Sequence, residues 1–373
     1  MATYSVQHLR AALVAAVMAV ISRPALAQQA PRISIGTNVQ VSAGHPDRDH
    51  MEIQIAAHPT DPKKLVACSI RLAEEKRMPW EGPSTVYYSS DGGTSWAPTL
   101  EFWPPGHRAG DPSCVYGPDG SAFFNTFSYE VGGATPDIAL LFRSRDGGQR
   151  WTDSIEIKRT DPHLATVDWT TGKYSGRVYV HGRNSVGRLD GRSYSALLIN
   201  RVDATGWRAL QRTSLAVQEG NRVDPGTAAV LSDGRLVIPF LETTGGFYAP
   251  GIDSPARANG QIKVIVSTDG GETFGAPIVV SDAWVFFGNK LSIFFSLASD
   301  RTSGPFRDRL YMTWLDGRSG RSEIYFAYST DNGASWSVPM TINDDVARAT
   351  PGQGPNHLHA TVAVSKDGVV GVS

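Results

Sequence analysis

Four stretches of one phrase punctuate this chain: SSDGGTSW at Ser89–Trp96, SRDGGQRW at Ser144–Trp151, STDGGETF at Ser267–Phe274 and STDNGASW at Ser329–Trp336. The shared pattern is Ser-x-Asp-x-Gly-x-(Ser/Thr)-(Trp/Phe), from which Arg150 departs at the seventh position. Each copy follows an alternating apolar run (STVYY, IALLF, IKVIV, IYFAY) and precedes another short strand-like run, so each is expected to be a hairpin turn. The chemistry suits that expectation. An Asp side chain accepts backbone N–H groups of its own turn, a Gly supplies positive φ, and the aromatic folds back as a plug.

Working outward, the strand-like runs group into repeats starting near residues 52, 111, 161, 224, 290 and 357, a spacing that suits a blade of four short strands. The third repeat ends in VDATGW, a degraded version of the phrase that keeps Asp203, Gly206 and Trp207. The sixth, HLHATVAVSKDGVVGVS, holds a first strand and part of a second. The expected fold is therefore all-β, a six-bladed β-propeller with an incomplete last blade, over residues 28–373. The alternating segment Asn38–Ser42 (NVQVS) is expected to be the strand that closes that blade. A five-bladed ring with a tail is the other reading.

Residues 1–27 read as an export signal. His8 and Arg10 precede an apolar run from Ala11 to Ile21, too short to span a bilayer, and Ala25-Leu26-Ala27 offers a small-x-small cleavage site. A secreted or periplasmic protein is expected. The net charge of −1 gives no reason to expect nucleic acid or an anionic membrane surface. Cys68 and Cys114 fall on strands that neighbouring blades can bring together, so a disulfide and two small buried side chains are both open readings. Neither looks like a metal ligand, and no metal, cofactor or membrane span is expected; a monomer is.

The phrase is that of the Asp box, and from about Val39 onward the chain resembles the sialidase superfamily and related bacterial-neuraminidase-repeat (BNR) propellers. The resemblance implies that the boxes lie on the face opposite the active site, which makes Asp91, Asp146, Asp269 and Asp331 structural. It also implies a secreted glycoside hydrolase of exo-α-sialidase type, with a non-catalytic propeller binding glycan or protein as the alternative. Sialidases grip the substrate carboxylate with three arginines and use a Tyr nucleophile paired with a Glu, plus an Asp as acid/base. Their Arg-Ile-Pro motif is only partly matched by Arg32-Ile33-Ser34.

Topology sorts the candidates. If each blade runs from the axis outward, the starts of the innermost strands and the loops after the second strands share the face away from the boxes. The first set offers Glu52, Asp111, His163, Asp224, Lys290 and His357 or His359. The second offers Arg71, Glu130, Arg183, Glu242, Asp316 and Arg318. Because glycoside hydrolysis needs two carboxyl groups across the scissile bond, Glu242, Asp111, Asp224 and Glu52 are the catalytic candidates. Glu242 ends the apolar strand LVIPFLE, so a raised pKa, as for a general acid or base, and a carboxylate pointing to solvent are both open readings. Arg71, Arg183 and Arg318 are the candidate substrate-binding arginines, since a guanidinium fork grips a carboxylate bidentately. Tyr129 and Tyr248 lie on the same face, though no motif singles either out. Against these stand plainer readings: Asp before Pro at 111, 161 and 224 as a turn former, and Asp316–Arg318 as a local pair stiffening one loop.

Overall fold

The computed structural model describes residues 36–72, 82–130, 138–189, 192–216, 218–244, 259–285, 295–345 and 354–373. Among them there are strands and turns but no helix. The strands form six consecutive antiparallel sheets. Sheet A holds β1 (His50–Ala57), β2 (Leu65–Arg71), β3 (Ser84–Ser89) and β4 (Ala97–Phe102). Sheet B holds β5 (His107–Tyr116), β6 (Ala122–Glu130), β7 (Ile138–Ser144) and β8 (Asp153–Glu156). Sheet C holds β9 (Asp161–Val167), β10 (Val178–Leu189) and β11 (Arg192–Asp203), with β12 (Arg208–Ala209) and β13 (Thr213–Ala216) sharing its outer edge. Sheet D pairs β14 (Asn221–Pro225) and β15 (Ala229–Val230) along one side of β16 (Leu236–Thr244), followed by β17 (Gly260–Ser267) and β18 (Ile278–Ala283). Sheet E holds β19 (Phe295–Ser299), β20 (Leu310–Asp316), β21 (Glu323–Ser329) and β22 (Met340–Thr341); sheet F pairs β23 (Val362–Val364) with β24 (Val370–Val372).

The Asp boxes are the hairpin turns expected. In the first, Asp91 Oδ1 accepts the Ser89 hydroxyl at 2.9 Å and the Ser95 N–H at 2.9 Å, and Oδ2 accepts the Ser95 hydroxyl at 2.6 Å. Asp269 and Asp331 repeat the scheme with Thr273 and Ser335. Arg150 has no hydroxyl to give, so Asp146 keeps the backbone bonds from Gln149 and Arg150 and the Ser144 hydroxyl alone. In the fourth copy Asn332 takes a left-handed conformation (φ 61°), which a side chain that bonds locally tolerates.

These bonds hold Asp91 at a pKa of about 2, chiefly through the Ser95 hydroxyl. Partial burial opposes the shift at Asp269, but the bonds from Thr273 outweigh it and the value is again about 2. Asp146 and Asp331 are lowered too. The sign follows. Carboxyls whose folded pKa lies below the unfolded value of 3.8 bind fewer protons when folded, so their stabilisation is complete above 3.8 and is lost as pH falls toward about 2. Scanning calorimetry from about pH 5 to about pH 2 should therefore show the melting temperature falling more steeply for the wild type than for a variant with Asn at 91, 146, 269 and 331. Equal slopes would remove the boxes as the source.

Between each pair of consecutive sheets lies a separate apolar core. Val66, Cys68, Phe124 and Cys114 fill the A–B seam, and Phe123, Leu141, Val178 and Val180 the B–C seam. Tyr179, Ile199, Leu236 and Ile238 fill C–D; Val264, Leu297, Met312 and Trp314 fill D–E; Leu315, Ile324 and Ala360 fill E–F. Hydroxyls clamp the innermost strands across these seams. Ser113 Oγ donates to Gln54 Oε1 at 2.9 Å and accepts the Ala165 N–H at 3.2 Å. Thr227 accepts the Leu297 N–H at 2.9 Å, and Ser296 accepts the Val362 N–H at 3.2 Å.

Two expectations change. Asn38–Ser42 is not a strand: residues 36–40 have no regular structure and residue 41 opens a turn that the Ser42 carbonyl closes on His45. Its alternation lacks a partner strand, and alternation alone forms no ladder. Nor is a closed ring seen among the described residues, where β1 pairs only with β2 and its Ile53 and Ile55 remain exposed. Residues 39–373 form one compact unit; of residues 1–38 only 36–38 are described, as exposed chain. The expected signal at 1–27 and Arg32-Ile33-Ser34 lie outside the described residues.

Candidate active site

Strand direction separates the two ends of every sheet. In sheet A, His50 of β1 lies opposite Arg71, which ends β2, and Ile70 opposite Ser84, which opens β3; the Asp box lies at the other end of β3. The innermost-strand acids are thus carried at the end remote from the boxes. A local irregularity re-aims each one. The β1–β2 register shifts between Met51 and Gln54, the β5–β6 register between Gly110 and Ser113, and the β10–β9 register between His181 and Arg183. Glu52 and Asp111, inside the first two shifts, hold left-handed backbones (φ 56° and 43°), which non-glycine residues adopt at a cost. Sheet D breaks its inner strand instead, between β14 and β15, just after Asp224.

The result is convergence. The Asp111 N–H donates to Glu52 Oε2 at 2.9 Å, and the two carboxyls hydrogen-bond to each other. Such a contact needs a proton between them. Burial pushes Asp111 well above the carboxylate range, and the charges of Glu52 and Asp161 add to it while Arg159 opposes. Asp111 Oδ2 is sealed from solvent with no donor. Glu52 is exposed over much of its length, but its carboxyl turns into the pair, and burial there raises its pKa despite the Asp111 N–H. Between sheets C and D, Arg183 Nη2 donates to Asp161 Oδ1 at 2.9 Å while its Nη1 pairs with Asp224 Oδ1. Arg222 grips Asp224 bidentately, Nε to Oδ2 and Nη2 to Oδ1, both at 2.8 Å. Asp224 is enclosed by these two guanidiniums, whereas the Asp161 side chain is 50% exposed. The Arg159 guanidinium lies 4.2 Å over the Phe127 ring and 5.5 Å from that of Tyr129, beside Asp111.

So Glu52 meets Asp111, and Arg183 meets Asp224. Asp161, read as a turn former, joins them, and so does Arg222. The signal for Asp161 was there in its Asp-Pro spacing with 111 and 224; for Arg222 there was none.

The other candidates are held by partners of their own. Glu242 accepts the Asn221 amide and the Lys263 ammonium, each at 2.7 Å. Burial would raise its pKa, but those two partners outweigh it and the net shift is downward, against the raised-pKa reading. Arg71 donates to both oxygens of Glu101, each at 2.9 Å, and so is drawn toward the outer strand β4. Arg318 locks onto the fully buried Asp316 and lies over the rings of Trp284 and Tyr325 at 4.8 and 4.4 Å, so the local-pair reading is the right one. His163 is fully buried, accepts the Thr160 N–H at 2.7 Å and is held neutral by burial, with a pKa of about 3. His357 is tied to Asp345 at 2.7 Å. Lys290 and Tyr248 lie outside the described residues, and Cys68 and Cys114 are free thiols.

No family model matches the chain. A xyloglucanase from Paenibacillus sp is 33% identical over 120 residues, a match spanning 28% of this chain and 11% of that protein's length. Among solved structures, an α-L-arabinanase of Penicillium chrysogenum complexed with arabinobiose superposes with a TM-score of 0.53 at 13% identity, over 85% of this chain and 86% of that one. An α-L-arabinofuranosidase of Fusarium graminearum with arabinobiose gives 0.53 at 13%, over 84% of each chain. The NanB sialidase of Streptococcus pneumoniae gives 0.56 at 11%, over 87% of this chain and 64% of that one. At such identities the likeness is one of fold, an all-β arrangement of the propeller type.

Proposed function

We propose that this chain is an exported glycoside hydrolase on a six-bladed propeller, with Asp111 as its general acid. The observation that carries this reading is the carboxyl pair Glu52–Asp111 at the meeting point of the innermost strands, with Asp161 alongside. Glycosidic cleavage needs one carboxyl that keeps its proton and one that has lost it. Asp111, part-buried with its Oδ2 sealed beside Glu52, supplies the first. Asp161, half exposed and steered by Arg183, supplies the second, as base or nucleophile at the anomeric carbon. Asp224 acts through Arg183, fixing the guanidinium from the side opposite Asp161. The fold shared with arabinanase, arabinofuranosidase and sialidase structures supports a glycan substrate.

The finer reading, an exo-α-sialidase, asks for arginines directed at a substrate carboxylate. Arg71 and Arg318 are tied to Glu101 and Asp316, and Arg183 and Arg222 already face aspartates. That charge balance favours a neutral terminal sugar over sialic acid. The test is release of fluorophore from an α-L-arabinofuranoside and an α-sialoside, with Glu242→Gln as a control. Turnover of the arabinoside, kept by Glu242→Gln, is the expected result, and turnover of the sialoside alone would restore the sialidase form. No turnover across a panel of glycosides, with retention on a glycan array, would leave a binding module and overturn the hydrolase.

A further inference from the structure

The A–B seam that aligns Glu52 with Asp111 also brings two thiols face to face. Cys68 on β2 and Cys114 on β5 are 0% and 3% exposed and share one apolar core. Gln54 stands opposite Cys68 in the β1–β2 register, and its carbonyl lies 3.7 Å from the Cys114 sulfur, which is also 3.8 Å from the Val66 carbonyl. Cys68 faces the Gln54 backbone N–H, on the strand opposite, and the Cys114 thiol itself. Both sulfurs thus meet the backbone of the same residue, Gln54, with each other as the remaining partner.

We propose that Cys68 and Cys114 are a cross-linking site that staples sheet A to sheet B. With glutathione disulfide as oxidant the step balances. One cysteine thiolate attacks the glutathione disulfide and expels a glutathione thiolate; the second attacks the mixed disulfide and expels another. Two protein thiols and one glutathione disulfide become one protein disulfide and two glutathione thiols, both electrons passing to glutathione. Burial raises the Cys68 thiol and shields both sulfurs, so the closed seam is inert and the bond forms while the sheets assemble. The cross-link spans 46 residues of chain, a loop long enough for the constraint on the unfolded state to be large. Gln54 is two residues beyond Glu52 and Cys114 three beyond Asp111, so the bond would also fix the carboxyl pair. That last consequence rests on the proposed function, whereas the cross-link does not.

The test is to refold the denatured full-length protein in a glutathione redox buffer or in reductant, then count thiols and map peptides by mass spectrometry. The expected result is no titratable thiol after oxidative refolding, one peptide joining Cys68 to Cys114, and a melting temperature several °C above that of the reduced form. Two reactive thiols after oxidative refolding, or only intermolecular disulfides, would overturn the proposal without touching the hydrolase. The wild-type thiol count decides this without a cysteine variant. Equal kcat/KM for the oxidised and reduced forms would sink the link to the carboxyl pair and leave the staple standing.

Discussion

Asp111→Asn lowers kcat/KM about 10²–10⁴-fold, the usual worth of a positioned general acid, with no fall in melting temperature. The two halves of this result belong together. A carboxyl kept protonated by burial is already neutral, and an amide of the same shape can donate to Glu52 as the acid did, so packing and hydrogen bonding survive. What is lost is the ability to give a proton to a departing oxygen. The pH profile sharpens the point. Because Asp111 must hold its proton, wild-type activity falls as pH rises through its raised pKa. Burial sets most of that elevation and the neighbouring Glu52 charge adds to it, so Glu52→Gln moves the basic limb to lower pH. A limb that stays in place, or Asp111→Asn with undiminished turnover, assigns the acid elsewhere. Folding stability carries the same sign. The native state binds a proton at Asp111 that the unfolded chain releases above 3.8, so this group's contribution falls as pH rises from that value to the folded pKa, a slope absent in Asp111→Asn.

Arg318→Ala costs about 3–5 kcal/mol of stability and leaves kcat/KM of the folded enzyme within a few-fold of wild type. Asp316 is fully buried, accepting Arg318 Nε at 3.0 Å, Nη2 at 2.8 Å, the Arg318 N–H at 2.9 Å and Trp314 Nε1 at 3.3 Å. Removing the guanidinium strands a carboxylate among apolar neighbours and strips cation–π contacts from Trp284 and Tyr325. Thermal unfolding should show a drop on the order of 10 °C. A second change, Asp316→Asn, recovers part of it, since the loss comes from an uncompensated charge. Arg71→Ala offers the contrast. Its partner Glu101 is 41% exposed, so the pair contributes less than about 1 kcal/mol. Loss of turnover in Arg318→Ala without loss of stability would instead make it a substrate arginine.

The chain's periodicity made much of this legible. Four copies of one turn fixed the outer hairpins, and a spacing measured between repeats placed Glu52, Asp111 and Asp224 at one end of the molecule. What it could not convey was side-chain direction. Glu242, Arg71 and Arg318 sit at ends of second strands or in the loops after them, on the expected face. There another strand of the same sheet supplies a partner (Lys263, Glu101) or the loop folds back on itself (Asp316). The irregularities at Glu52 and Asp111 leave no mark on an alternating pattern, since a bulge is set by the register of two strands together. Asn38–Ser42 shows the converse, an alternation with no strand to pair with.

The hydroxyl clamps between innermost strands carry a last consequence. Ser113, Thr227 and Ser296 hook one inner strand to the next, so sliding of one sheet past its neighbour along the axis would break them. Outer strands carry hooks of their own, with the Thr213 hydroxyl donating to the Gly271 carbonyl at 2.7 Å and the Thr99 hydroxyl accepting Trp151 Nε1 at 3.1 Å, though β12 and β22 are only two residues long. Among these hooks, the inner ones set how the acid-bearing strands meet. Change at a clamp residue, though far from any substrate atom, should be read first in catalytic rate.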